Sequence, residues 1–152
     1  MSRSHVAVSV EFTCFIHATE DEERVLRALT NLLPEELRRP DSLPLRKSLT
    51  YGFYGNPILL LHLEFSGEEA DRIVRHIFSS MLGEDLRGIL EGFENRFAKG
   101  RLYLRFDKQE AYYGIMKLSS GDEVIRCVIK LKPHIRRRED LERVLKEYGA
   151  HL

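Results

Sequence analysis

The sequence predicts an α+β fold in which helices cover one face of a mainly antiparallel sheet and the other face stays partly open. Three observations lead there. Residues 5–17 alternate apolar and polar side chains, residues 70–82 repeat apolar positions at helical spacing, and residues 101–107 and 124–132 return to a period of two. The expected order is β-α-β-β-α-α-β-β-β-α. With 152 residues, 43% of them hydrophobic, the chain suits one domain over 1–152 around a single core.

The first strand places Val6, Val8, Val10, Phe12, Cys14 and Ile16 on one face and Ala7, Ser9, Glu11, Thr13 and Phe15 on the other. Thr19 and Glu22 have the spacing of a capping box, and Val25, Ala28, Leu29 and Leu32 continue at helical spacing until Pro34. Residues 34–47 hold three prolines and no period, and read as a long loop carrying Arg38, Arg39, Arg46 and Lys47. Strands over 48–54 and 58–65 follow, joined by Gly55-Asn56-Pro57. Ser66 and Glu69 form a second capping box before a helix over 66–82, and Leu86, Ile89, Leu90, Phe93 and Phe97 trace another helix. Three strands come next, over 101–107, 115–118 and 124–132. Leu141, Val144, Leu145 and Tyr148 mark a closing helix.

Composition narrows the function. The longest aliphatic run, 58–61, is far below the roughly 20 residues that span a bilayer, and no secretory signal is apparent, so a cytoplasmic protein with no membrane partner is expected. Cys14 and Cys127 lack C-x-x-C partners and fall on apolar phases, as buried thiols do. Net charge is zero, yet residues 1–100 carry 12 basic and 16 acidic side chains while 101–152 carry 12 and 8. That skew from −4 to +4 supports a local positive field within a neutral molecule.

The polar faces of the strands over 101–107 and 124–132 concentrate that field. Arg101, Tyr103 and Arg105 share one, and Arg126, Lys130 and Lys132 share the other, with Arg136, Arg137 and Arg138 just beyond. Cations around an aromatic ring supply the phosphate neutralisation and the stacking platform that single-stranded or irregular RNA needs. The same residues also fit a solvated face whose cations pair across strands with Glu11 or Asp107. Residues 104–114 break alternation and crowd polar groups, making Lys108 and Gln109 candidate donors to phosphate or base edges. In a packing reading, Asp107 caps a short turn there and Lys108 pairs with Glu110.

Signatures of nucleotide hydrolysis, dinucleotide binding, zinc proteolysis and serine hydrolysis are absent from the sequence. The six histidines show no metal-ligand spacing. His17 with Glu20 and Asp21, or Asp107 with Glu110, would be the groups for a divalent metal, and both lack a convergent third carboxylate. No catalytic residue, metal or cofactor is expected.

Three segments, Ile16-His17-Ala18-Thr19-Glu20-Asp21-Glu22-Glu23, Tyr54-Gly55-Asn56-Pro57-Ile58 and Leu104-Arg105-Phe106-Asp107-Lys108-Gln109-Glu110-Ala111-Tyr112-Tyr113-Gly114, together resemble a family of small archaeal RNA-binding proteins predicted as exosome subunits. The likeness in order and spacing covers nearly the whole chain. It implies a fold similar to the large-subunit ribosomal protein that binds 5S rRNA, and RNA binding in processing or ribosome-related work. The expected RNA contacts are Arg101, Arg105, Lys108, Arg126, Lys130, Lys132 and Arg136 to Arg138 at phosphates, with Tyr103 stacking and Gln109 hydrogen-bonding. The expected partners are RNA and exosome or other RNA-processing proteins. An adaptor docking on such an assembly through Phe15, Tyr103 and Val128 is the alternative, and a metal-dependent nuclease is the third reading.

Overall fold

Alternation makes Ala7–His17 the long strand β1, and the rest of the sheet assembles on its two edges. The computed structural model describes residues 5–148. On one side β1 pairs antiparallel with β3 (Pro57–Ser66), which pairs with β2 (Leu45–Tyr51). On the other it pairs antiparallel with β6 (Val124–Leu131), followed by β5 (Arg101–Asp107) and the two-residue β4 (Phe97–Ala98). The order β2-β3-β1-β6-β5-β4 forms one six-stranded antiparallel sheet. A register shift between Ala7 and Ser9 bulges β1 near its start.

Helices α1 (Glu22–Thr30), α2 (Gly67–Ser80), α3 (Gly83–Glu91), α4 (Phe93–Arg96), α5 (Lys108–Tyr112) and α6 (Arg138–Glu147) complete the fold. The amphipathic helix α2 buries Ala70, Ile73, Val74, Ile77 and Phe78 against β1 and β3. Phe12, Phe78 and Phe106 are fully buried in one continuous core. The α+β class and the one-sided covering agree with the sequence reading.

Several boundaries differ, each for a local reason. The first capping box is displaced: helix α1 starts at Glu22, and Asp21 caps it by accepting the Glu23 amide at 3.0 Å. Ser66 sits at the N-cap of α2 without a side-chain cap bond; Gly67, at φ +64°, turns β3 straight into the helix. The loop over 34–47 contains two 3-10 turns, Glu35–Leu37 and Pro40–Ser42, and β2 already begins at Leu45. That strand ends at Tyr51, so Phe53 and Tyr54 fall in the hairpin turn. The strand expected over 115–118 is reduced to a single bridge between Phe106 and Leu118. Gly92 interrupts the third helical run, leaving α3 and the short α4.

A buried carboxylate ties the start of β1 to α2. Asp71 Oδ1 accepts the Val6 and Ala7 amides at 2.7 and 3.3 Å, and Oδ2 accepts Arg75 Nε at 2.8 Å. Burial alone pushes this carboxyl up, but the Val6 amide, Arg75 and the Ala7 amide outweigh it and hold it below the usual 3.8. A group depressed in the fold contributes fully above the unfolded carboxylate pKa, and its contribution disappears as pH falls through the folded value. Asp71→Ala should therefore cost about 3 kcal/mol in urea unfolding at pH 7, with the gap from wild type closing below pH 3.8. A gap independent of pH would contradict the carboxylate's role.

Cys14 and Cys127 are free and buried, as expected. Burial pushes the Cys14 thiol up to about 11, and Cys127 is also raised by burial. Neither should react with Ellman's reagent at pH 8 in the folded protein, and both should react in denaturant. Rapid native labelling of either would contradict the core packing.

Candidate nucleic-acid interface

Strands β5 and β6 turn Leu102, Leu104, Phe106, Ile125, Cys127 and Ile129 into the core, so the alternate residues face outward. On that outer face Arg101 stands opposite Lys130, Tyr103 opposite Val128 and Arg105 opposite Arg126. Two directly opposed cation pairs thus flank one tyrosine, about 14 Å apart at some 3.4 Å per residue. Like charges directly opposite destabilise a sheet. Among the described residues, the Arg101, Arg126 and Lys130 side chains make no hydrogen bond or ion pair. Arg105 donates to the Gly121 carbonyl at 2.7 Å, which fixes its position and leaves further guanidinium donors. Tyr103 is 46% exposed.

The carboxylates that a self-neutralised face would use are engaged elsewhere. Register places Glu11 opposite Val128 on one side and Glu64 on the other, and its Oε2 lies 3.3 Å from His62 Nε2. Asp107 caps α5 by accepting the Glu110 amide at 2.9 Å, as the packing reading of this segment expected.

The remaining expected contacts divide between the two ends of these strands. Beyond β6, Lys132 is half-buried and its amide donates to the Val6 carbonyl at 2.8 Å. Arg136 and Arg137 are exposed in the following turn, where their amides donate to Asp140 Oδ2 at 3.1 and 3.0 Å. Arg138 opens α6 and lines a surface groove with Glu91 and Glu94 of the helical layer, away from the sheet face. At the other end Gln109 is exposed on α5.

Lys108 departs from expectation. It is 7% exposed, and its ammonium donates to the Phe15 carbonyl at 2.8 Å and to Glu20 and Glu123 carboxylates at 3.2 Å. Three partners occupy the three donors of an ammonium. Lys108 is therefore a buried anchor in place of the expected phosphate contact, and Glu110 is not its partner.

Around this anchor the conspicuous sequence segments meet. Asn31 Nδ2 donates to the Ala111 and Tyr112 carbonyls at 3.0 and 3.2 Å, and the Arg24 guanidinium lies 4.4 Å from the Tyr112 ring centroid. His17 pairs with Ile58 across β1 and β3. The crowded polar groups over 104–114 thus join α1, α5 and the end of the sheet. His17 and Glu20 also acquire a second carboxylate in place of Asp21. It is Glu123, with one ligand atom of each residue within 4.8 Å of the others. Lys108 already supplies the cation between Glu20 and Glu123, and Asp21 is the α1 cap. A second cluster, Glu11, His62 and Glu64, lies on the open face.

Comparison with known proteins gives this arrangement a family. Residues 9–131 match a family described as RNA binding. The chain belongs to this RNA-binding family. An RNA-binding protein of Pyrococcus abyssi is 36% identical over 147 residues, 93% of each chain. An uncharacterised protein of Methanocaldococcus jannaschii is 33% identical over 126 residues, 82% of this chain and 84% of that protein. The crystal structure of an Archaeoglobus fulgidus protein, 29% identical, superposes with a TM-score of 0.72 over 93% of this chain and 99% of the other. A DUF54 protein of Methanothermobacter thermautotrophicus, 26% identical, gives 0.72 over 94% and 98%. The family match contains both cation pairs and the Lys108 anchor and stops before Arg136.

Anchoring and surface cations should separate in unfolding experiments. Lys108→Met should lower stability by roughly 2–3 kcal/mol by stranding the Glu20 carboxylate and the Phe15 carbonyl. Lys130→Met should remain within about 0.5 kcal/mol of wild type. Equal effects in urea titrations would contradict the division between anchor and surface.

Proposed function

We propose that this protein binds RNA without catalysing its cleavage, through Arg101, Tyr103, Arg105, Arg126 and Lys130 on the outer face of β5 and β6. The observation that carries this reading is the two directly opposed cation positions, Arg101 across from Lys130 and Arg105 across from Arg126, none of the four ion-paired with a carboxylate among the described residues. Repulsion built into a sheet is relieved when phosphates settle between the cations. Tyr103, standing between the pairs, offers a ring face to a base. Arg136 and Arg137 extend the positive surface past the end of β6. Membership of the RNA-binding family supports the reading, as does the RNA-binding relative in Pyrococcus abyssi.

The setting we propose is an RNA-processing assembly of the exosome kind or ribosome-related work. Zero net charge keeps long-range attraction to RNA small, so a short cationic strip gains most when the protein is held beside its RNA by neighbouring subunits.

Anisotropy titrations against single-stranded and structured RNA at several salt concentrations test the interface. With about five phosphates neutralised, log affinity should fall against log salt with a slope of about −3.5 to −4.5. Arg126→Ala with Lys130→Ala should weaken binding and flatten the slope by about 1.5. An unchanged slope would remove this face from the interface. Capture of a protein partner that survives nuclease treatment, with no RNA bound by the purified protein, would favour the adaptor instead.

A further inference from the structure

The β2–β3 hairpin ends in two aromatic rings that neither the core nor the turn requires. Phe53 is 95% exposed and Tyr54 86%, whereas Phe12, Phe78 and Phe106 are completely buried. The turn is closed by its backbone: the Gly52 amide donates to the Asn56 carbonyl at 2.8 Å and the Gly55 amide to the Gly52 carbonyl at 2.9 Å. Gly55, at φ +79°, supplies the left-handed residue. Polar residues at 53 and 54 would serve this turn equally well.

The rings are held in a defined arrangement. Their centroids are 5.0 Å apart and their planes 85° from parallel, an edge-to-face pair on a closed turn. Tyr51, 65% exposed, and Leu49, 59% exposed, extend the apolar surface along β2. Around them the chain is free of acid: residues 42–63 contain no Asp or Glu but include Arg46, Lys47 and His62. Lys47 is committed to Glu22 at 2.6 Å. Arg46 is exposed and has no side-chain partner among the described residues.

We propose that Phe53 and Tyr54 form a second RNA contact that stacks on unpaired bases. This inference rests on the RNA-binding reading and specifies its ligand as RNA with unpaired bases next to the segment on β5 and β6. Charge selects that occupant: the stretch 42–63 around the tip holds no carboxylate and its Arg46 has no ion-pair partner among the described residues, which suits a polyanion, and unstacked bases lay their faces on aromatic rings. A continuous duplex hides its base faces from such a tip.

Position supports a shared strand. Arg126 and Arg46 lie in one row across the sheet, through Thr13 and His62, and the hairpin tip lies beyond Tyr51, at the opposite end of β2 from Arg46. Three strand spacings across and about six residues along place the rings roughly 25 Å from Arg126. An RNA strand within the ~4–16-nucleotide range of single-strand binders covers that path.

The test titrates wild type and Phe53→Ala/Tyr54→Ala with a short single-stranded RNA carrying 2-aminopurine and with a blunt RNA duplex. Both rings are exposed, so circular dichroism should be unchanged. Wild type should prefer the single strand and change the 2-aminopurine emission. The double variant should bind it at least about fivefold more weakly, the low end of base–aromatic stacking, with the same salt slope. Tyr54→Phe should stay within about twofold of wild type, since the ring is retained. Salt-sensitive wild-type binding that the double variant reproduces would overturn the stacking tip and leave the β5–β6 interface standing. No wild-type binding to either RNA at low salt would overturn the RNA reading and the tip together.

Discussion

Strand β1 is hydrogen-bonded along both edges, and its alternation governs the rest of the molecule. Val10, Phe12, Cys14 and Ile16 are buried under the helices, which commits Ser9, Glu11, Thr13 and Phe15 to the opposite side. A one-residue slip against either neighbour would exchange those sets. An antiparallel sheet tolerates one solvated face, so the six strands produce a broad polar surface with no helix over it. Register with β1 also decides which charges meet. Glu11 lands between Glu64 and Val128, while Lys130 and Arg126 land beside Ser9 and Thr13.

Two uses of positive charge follow from these placements. Lys108 lies almost out of solvent, and its ammonium closes a contact among Phe15, Glu20 and Glu123. Partnering there matters because removing one member strands the others in a poorly solvated site. Arg101, Arg126 and Lys130 are exposed and, among the described residues, paired with no carboxylate. Their cross-strand repulsion is worth only about a kcal/mol or less, small enough for the fold to bear and available to an incoming anion. Electrostatic context therefore assigns structure to one lysine and leaves the other cations free for the proposed RNA contact, although all lie in the same basic third of the sequence.

Much of this was legible from periodicity. Alternation located β1, β5 and β6 and assigned the faces of Tyr103, Arg126 and Lys130, because a strand's side-chain period is independent of its partners. Local capping was less legible. Thr19-Glu20-Asp21-Glu22 offers several oxygen acceptors in succession, and only the fold directs Glu20 to Lys108 and leaves Asp21 for the helix. Sequence separation hid the Lys108 partners, since Glu20 lies 88 residues away. Phe53 and Tyr54 read as the end of a strand, because aromatic residues favour strands; the signal for a turn was Gly52 and Gly55 bracketing them. Strand character over 115–118 failed for want of a partner: Leu118 alone bridges to β5, whose same edge carries β4 further along.

The central claim is that RNA meets the uncovered side of the sheet at the opposed cations of β5 and β6. Amide and side-chain NMR shifts of the folded protein, followed while a short RNA is added, test it most directly. Changes concentrated on Arg101, Tyr103, Arg105, Arg126 and Lys130, with α2 and α3 unmoved, are the predicted result. Saturable changes confined to the helical layer, with the β5–β6 surface silent, would contradict it.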